Sequence, residues 1–259
     1  MTQVNRFLRH TILARNNLLL LAVTVLFILV WQFIIPIFVP EFLLPTPLSI
    51  LSEYQVVAIN WAYHTLVTVT EALTGFTIGA ITAIVLAILI TESTLLRRIL
   101  YPYIVLAELT PKVALAPILY ILLGFTNISR VLLVAIVLFF PIVINMSTGL
   151  TEVDQNLIYL LRSLGGGEAT VFFKVRLPNS LPRLFDGFRI SIVGSMIGAI
   201  IAEFVSSTQG LGFLIITSQY TFEVKLAFAS LILLSFIGLA LYALLELTSR
   251  LVMPWYRRG

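Results

Sequence analysis

No cysteine occurs anywhere in the 259 residues. That absence excludes disulfides, thiolate zinc sites and thiol nucleophiles, and leaves the redox compartment unassigned. Histidine is nearly missing as well, with only His10 and His64, so a bis-histidine haem in the membrane is not expected. No Gly-x-x-x-x-Gly-Lys-Ser/Thr run is present, so the chain has no phosphate-cradling loop of its own. Charge is scarce at 11% of residues, against about 25% in soluble domains.

What fills the space is apolar. Hydrophobic residues make up 59% of the chain and the mean hydropathy is +1.06, more than one soluble core could hide. Most of these side chains must face lipid or one another within a bilayer. Nucleic-acid binding and cytosolic catalysis are excluded as default functions.

Crossing roughly 30 Å of hydrocarbon takes about 20 apolar residues in a helix. Four stretches, 16–40, 72–91, 131–151 and 226–245, hold no Asp, Glu, Lys or Arg. Two more carry internal charges: Glu108 and Lys112 in one, Asp186, Arg189 and Glu203 in the other. The expected architecture is therefore all-α, a single membrane domain of six spans near 17–36, 64–91, 99–123, 129–149, 185–206 and 226–250. The first is read as a retained helix, because it outruns a signal-peptide core and no small-x-small cleavage site closes it.

Lys and Arg set the orientation. Thirteen of the 16 fall on one side: Arg6, Arg9 and Arg15, then Arg97 and Arg98, five from Arg162 to Arg189, and Arg250, Arg257 and Arg258. Arg130 and Lys225 fall on the other, and Lys112 lies within a span. Both termini are expected in the cytoplasm. The outer segment 37–63, broken by Pro40, Pro45 and Pro47, is expected to form turns and short helix at the membrane surface.

The longest polar connection, 150–184, is cytoplasmic on this reading. Thr151 and Asp154 resemble a capping box opening a helix with a one-sided apolar face of Val153, Leu157, Leu160, Leu161 and Leu164. Gly165, Gly166 and Gly167 stop it, and a second short helix from Glu168 to Arg176 is expected to end at Leu177-Pro178. Such a pair either lies on anionic lipid through Lys174, Arg176 and Arg183 or docks a cytoplasmic partner.

This segment resembles the coupling loop of binding-protein-dependent ABC importer permeases: Glu-Ala-Ala, three residues, Gly, nine residues, Ile, one residue, Leu-Pro. Gly165, Val175, Leu177 and Pro178 fit that spacing, whereas Tyr159, Leu160 and Leu161 stand in place of Glu-Ala-Ala. Further segments resemble the nitrate, sulfonate and taurine branch, which includes permeases for thiamine-precursor pyrimidines. They are Pro111–Pro117, Leu123-Gly124-Phe125, Phe139-Phe140-Pro141-Ile142, Ala202-Glu203-Phe204 and Gly210-Leu211-Gly212-Phe213. The resemblance implies a type I importer (MetI-like) fold in the bacterial inner membrane and a homodimer around a shared path. It implies an ABC ATPase that receives the loop and an extracytoplasmic solute-binding protein. No cofactor is expected in this chain, since the partner ATPase would bind ATP and Mg, and no metal ligands or catalytic residues are assigned. A self-contained ion-coupled transporter or channel is the alternative.

Charges inside spans are functional candidates. Glu108 and Lys112, four apart, can pair, or Lys112 can face the path. Glu203 either gates the path or reaches interfacial water. Glu71 receives no role. Gly75-x-x-x-Gly79 and Gly194-x-x-x-Gly198 allow close helix approach, within one subunit or, for the second pair, at a dimer axis. Trp31, Trp61 and Trp255 read as interfacial anchors.

Overall fold

The computed structural model describes residues 18–56 and 58–256. His10, the basic residues Arg6, Arg9, Arg15, Arg257 and Arg258, and the start of the first span lie outside the described residues. Every regular element among the described residues is a helix, and the chain forms two compact units.

The first unit comprises residues up to Asn60 together with Thr217–Ala229. Its long helix, α1 (Leu18–Phe38), has no buried residue in its most apolar window, as a lipid-facing helix requires. A five-residue π-turn, Val30–Ile34, lets α1 run past Pro36, because the wider turn absorbs the hydrogen bond that proline cannot donate. Pro47 then opens α2 (Pro47–Glu53), which the Thr46 hydroxyl caps by accepting from Ser49 N at 3.3 Å. Trp31 Nε1 donates to Pro45 O at 3.1 Å and Leu48 N donates to Gln32 Oε1 at 3.0 Å. The polar edge of Trp31 is thus engaged within the protein. Tyr54 donates its hydroxyl to Ala229 O at 2.7 Å, and burial raises its pKa above the usual phenol value. The exposed Glu41 carboxylate is held below its usual range by the Ser49 hydroxyl and the Lys225 ammonium.

The second unit comprises Trp61–Ile216 and Ser230–Gly259. It contains α3 (Trp61–Glu92), α4 (Thr94–Leu109), α5 (Ala116–Leu123), α6 (Asn127–Thr151), α7 (Gln155–Ser163) and α8 (Glu168–Ser206). Two further helices, α9 (Leu211–Thr221) and α10 (Val224–Val252), contribute residues to both units. Among the described residues five helices are long and apolar enough to cross a membrane, and six spans result if α4 and α5 count as one.

Two expected boundaries are corrected. The span at 99–123 is not one straight helix: α4 and α5 meet at a 94° bend. Pro111 cannot donate, and it holds Thr110 extended at φ −74° and ψ 138°, so the helix stops and restarts through a 3-10 turn at Lys112–Leu115. Nor does a helix end at Leu177-Pro178. Here a second π-turn, Phe172–Arg176, carries α8 from Glu168 through the proline without a break.

Helix α6 is the core of this unit, lying against both α3 and α8. Leu133, Val134, Leu138, Ile142, Val143 and Met146 are all sealed from solvent. Gly75 and Gly79 meet α6 at Val134 and Leu138, so α3 and α6 run parallel; Gly149 meets Ser180 and Gly198 meets Val134, so α6 and α8 run antiparallel. These relative directions are those of alternating membrane crossings. Both glycine pairs face α6 of the same chain, Gly198 closely at Val134 and Gly194 only through Val137 Cγ1 at 3.9 Å, as the within-subunit alternative expects.

A Cβ at Gly75 would lie 2.5 Å from Val134 Cβ and 2.9 Å from Val131 O. Gly75→Leu must therefore push α3 off α6, at a cost of about 1–3 kcal/mol or more for overpacking. The expected result is a lowered unfolding temperature of the detergent-solubilised protein. An unchanged melting curve would refute the close approach.

Candidate functional site

The segment after α6 folds into a corner. Thr151 does not form the expected capping box; it ends α6, its hydroxyl donating to Ser147 O and Thr148 O, both at 3.0 Å. Asp154 caps α7 alone, accepting from Asn156 N at 2.9 Å, because its short carboxylate already reaches the second turn amide. The exit needs a left-handed residue, and Gly165 supplies it at φ 83°. Gly165 N then donates to Arg162 O at 3.0 Å and Gly166 N to Leu161 O at 2.9 Å, closing the end of α7.

The apolar face of α7 is two stripes rather than one. Val153, Ile158 and Val171 form a small buried core, with Leu161 and Val175 packed against it. Leu157, Leu160 and Leu164 point outward and are exposed, as is Tyr159. Leu177 and Pro178 lie half-buried at the joint with the main length of α8. Ile158 was not singled out from sequence, although it sits three residues before Leu161 on the inner stripe.

Ion pairs clamp this corner to the bundle. Arg176 meets Glu92, the last residue of α3, at 2.9 Å; Arg183 meets Glu152 at 2.9 Å; Asn179 Nδ2 donates to Glu152 O at 2.8 Å. Deeper in the unit, Arg189 of α8 joins Asp186 at 2.9 Å and Glu246 of α10 at 2.8 Å.

At the bend between α4 and α5, Lys112 Nζ reaches Glu108 Oε2 at 2.7 Å and the Glu108 carbonyl at 3.0 Å, with the Phe140 ring centroid 5.7 Å away. The pair is locally neutral, and Glu108 remains 31% exposed at its side chain.

At the end where α3 and α6 begin and α8 ends, a polar knot is buried. Glu203 is fully sealed, so it does not reach interfacial water. Its Oε1 accepts from the Thr68 hydroxyl at 2.6 Å and its Oε2 from Gly212 N at 2.6 Å, while Thr68 Oγ1 accepts from Leu211 N at 2.8 Å. Glu203 thereby satisfies the free amides at the start of α9. His64 Nδ1 accepts from Gly210 N at 3.1 Å, and its ring stacks on Phe213. Gly210 sits at φ 104°, and a Cβ at Gly210 or Gly212 would strike the Glu203 side chain. The two short motifs around Glu203 and Gly210 therefore belong to one site.

One turn along α3, Glu71 Oε1 accepts from Arg130 Nε at 2.6 Å. Arg130 also donates to Asn127 Oδ1 and, at 3.4 Å, to Ser206 O. Arg130 was expected as an outer-loop charge and Glu71 without a role. Both are buried, because the first turn of α6 carries Arg130 directly onto α3. A sequence signal existed: His64, Thr68 and Glu71 recur at i, i+4 and i+7, a polar stripe on one face of an otherwise apolar helix.

Among the described residues no group of three His, Cys, Asp or Glu side chains could hold a metal. The arrangement is that of a membrane bundle with a buried polar knot at one end and an ion-paired corner at the other.

Comparison with known proteins agrees with this architecture. The family described as "Binding-protein-dependent transport system inner membrane component" matches residues 75–258. A probable ABC transporter permease protein of Haemophilus influenzae is 30% identical over 216 residues, covering 83% of this chain and 88% of its own length. The riboflavin transport system permease protein RibX of Chloroflexus aurantiacus is 33% identical over 218 residues, 83% of this chain and 81% of its own. The formylaminopyrimidine transport permease protein ThiX of Halalkalibacterium halodurans is 25% identical over 230 residues, 88% and 92%. In fold, the chain is similar to an amino acid ABC transporter crystallised with histidines, with a TM-score of 0.65 at 17% identity over 78% of this chain and 97% of that one. It is also similar to the MetNI methionine ABC transporter, with a TM-score of 0.59 at 18% identity over 71% and 94%. With a family match across most of its length and an all-helical fold of five or six candidate spans to go with it, the chain belongs to the inner membrane components of binding-protein-dependent transport systems.

Proposed function

We propose that this chain is the membrane-embedded permease subunit of an ATP-driven ABC importer, working as a homodimer with a solute-binding protein outside and an ABC ATPase docked on the α7 corner. The basic bias of Lys and Arg supports a cytoplasmic corner and cytoplasmic termini. The solute is small: an anion of the sulfonate kind or a heteroaromatic vitamin precursor, as the names of the relatives ThiX, RibX and the taurine permease TauC of Escherichia coli indicate for those proteins.

The observation that carries the docking role is the outward stripe of Leu157, Leu160 and Leu164 on a corner whose arginines are already paired. Arg176 and Arg183 are engaged with Glu92 and Glu152, which leaves Lys174, exposed on the same corner, as the remaining charge of the three that the lipid-surface alternative drew on. Hydrolysis is then assigned to the partner, and the ion pairs to α3 and α8 give any movement of the corner a direct route into the spans.

Gly165→Val tests this reading. Nothing lies within 4 Å of a Cβ at Gly165, so the change brings backbone strain at φ 83° and no collision. A β-branched residue there costs about 1–2 kcal/mol and re-aims the corner. The spans should insert normally while co-purification with the ATPase, or coupling of hydrolysis to vesicle uptake, is lost. Full association and full uptake in the variant would overturn the docking role.

A further inference from the structure

Helix α7 distributes its side chains unevenly around its axis. At about 100° per residue, α7 and its C-cap Leu164 divide into two halves. The inner half holds Leu161, Ile158, Arg162 and Gln155. Of these, Ile158 and Leu161 belong to the small core with Val171, and Arg162 is engaged with Glu168 at 2.6 Å. The outer half, about 160° wide, runs Tyr159, Ser163, Asn156, Leu160, Leu164 and Leu157, and all six are exposed, Tyr159 by 63%.

That outer half carries no charge. Between Gln155 and Leu164 the one ionised side chain is Arg162, which lies on the inner half with its charge cancelled. A helix facing only water sets charged residues opposite its core, and a helix lying in a membrane surface sets Lys or Arg beside its apolar stripe. The exposed side of α7 does neither. It presents a leucine edge of Leu157, Leu160 and Leu164 next to a polar but uncharged edge of Tyr159, Ser163 and Asn156. Tyr159 stands at the first position of the Glu-Ala-Ala triplet, so a phenol that both donates and accepts replaces a carboxylate there.

We propose that the ATPase surface receiving α7 is itself uncharged, with an apolar floor against the leucine edge and hydrogen-bonding groups against the Tyr159 edge. An ion on the partner's side would be desolvated against this half-helix with no counter-charge, a cost that neutral groups do not carry. Docking is then driven by the apolar area removed from water, while Tyr159, Ser163 and Asn156 fix the orientation. The same neutrality selects the partner: an ATPase with a basic or acidic side chain at that place is rejected. The proposal rests on the docking role of the α7 corner and specifies the partner's side of it.

The test adds charge of each sign to the polar edge of the full permease and measures affinity for its ATPase in detergent. Tyr159→Glu and Tyr159→Lys should each weaken binding about ten-fold or more. Asn156→Asp adds a charge without bulk and should weaken it as well. None should lower the melting temperature of the permease alone, because both positions are exposed and a carboxylate is favoured in the first turn of a helix. Raising KCl from 0.1 to 1 M shortens the Debye length from about 10 Å to about 3 Å, yet the affinity of the parent should change by less than about two-fold. Tighter binding with one sign of charge and weaker binding with the other would reveal an ionised partner surface and overturn the proposal. A parent affinity that falls about ten-fold or more with salt would overturn it too. So would unchanged binding in all three variants, which leaves the outer half to lipid or a second copy; if Gly165→Val still lost the ATPase, the docking role of the corner would survive alone. A parent that binds no ABC ATPase would strike the permease reading, and this proposal with it.

Discussion

Arg130→Met should leave little folded protein in the membrane, and adding Glu71→Met should bring it back. In the single variant the Glu71 carboxylate stays buried with its 2.6 Å partner gone, while Asn127 and the Ser206 carbonyl lose a donor. Breaking a buried pair on one side costs about 3–5 kcal/mol. Whole domains have only about 5–15 kcal/mol to lose. The double variant exchanges the pair for two apolar side chains of similar reach, a change that is often neutral or favourable. Fluorescence-detected size exclusion of detergent extracts, with a melting curve on each peak, measures both. A single variant as abundant and heat-stable as the parent would show that the pair holds nothing together.

The second large effect is expected at the corner. Leu160→Asp combined with Leu164→Asp should leave the permease itself almost untouched, because both side chains are exposed and surface changes usually stay within about 0.5 kcal/mol. In a partner groove the same carboxylates would be desolvated without a counter-charge, a cost of several kcal/mol. At about 1.4 kcal/mol for each factor of ten, ATPase affinity should fall by roughly a thousand-fold. Leu161→Asp is the informative contrast: Leu161 packs on Ile158 and Val171, so its charge should destabilise the corner even with no partner present. Pull-down of the ATPase against thermal stability of the permease alone separates the two. Retention of the ATPase by the Leu160, Leu164 variant would remove that stripe from the interface.

Much of the fold was legible because the bilayer acts on residues one at a time. Charges are costly in hydrocarbon, so the four uncharged stretches marked spans without any knowledge of neighbours. The expected spans at 64–91, 129–149 and 226–250 lie within α3, α6 and α10. Local chemistry was readable too. Gly165 follows the last apolar turn of α7 and has the left-handed backbone that position calls for, and Lys112 pairs with Glu108 because four residues make one helical turn.

What depended on partners distant in the chain was not. Arg130 and Glu71 are 59 residues apart, and Thr68 and Glu203 are 135 apart. From the sequence alone Arg130 counts as one more basic residue near a span end, and nothing local says that α6 will lie parallel to α3 in a register that buries it. The same holds for α7, where helical periodicity marked Leu157, Leu160, Leu161 and Leu164 as apolar but could not divide inward from outward, since Ile158 and Leu161 acquire an inside only once Val171 folds back over them. Pro111 and Pro178 make the point at single residues. Both remove an amide, yet one ends a helix at a 94° bend and the other is carried through by a π-turn, and the difference lies in the backbone around each. Sequence therefore determined which segments enter the membrane and where the corner turns, because hydration and backbone sterics are local costs; the tertiary packing decided which buried charges meet and which leucines stay exposed, because those energies exist only between surfaces that folding brings together.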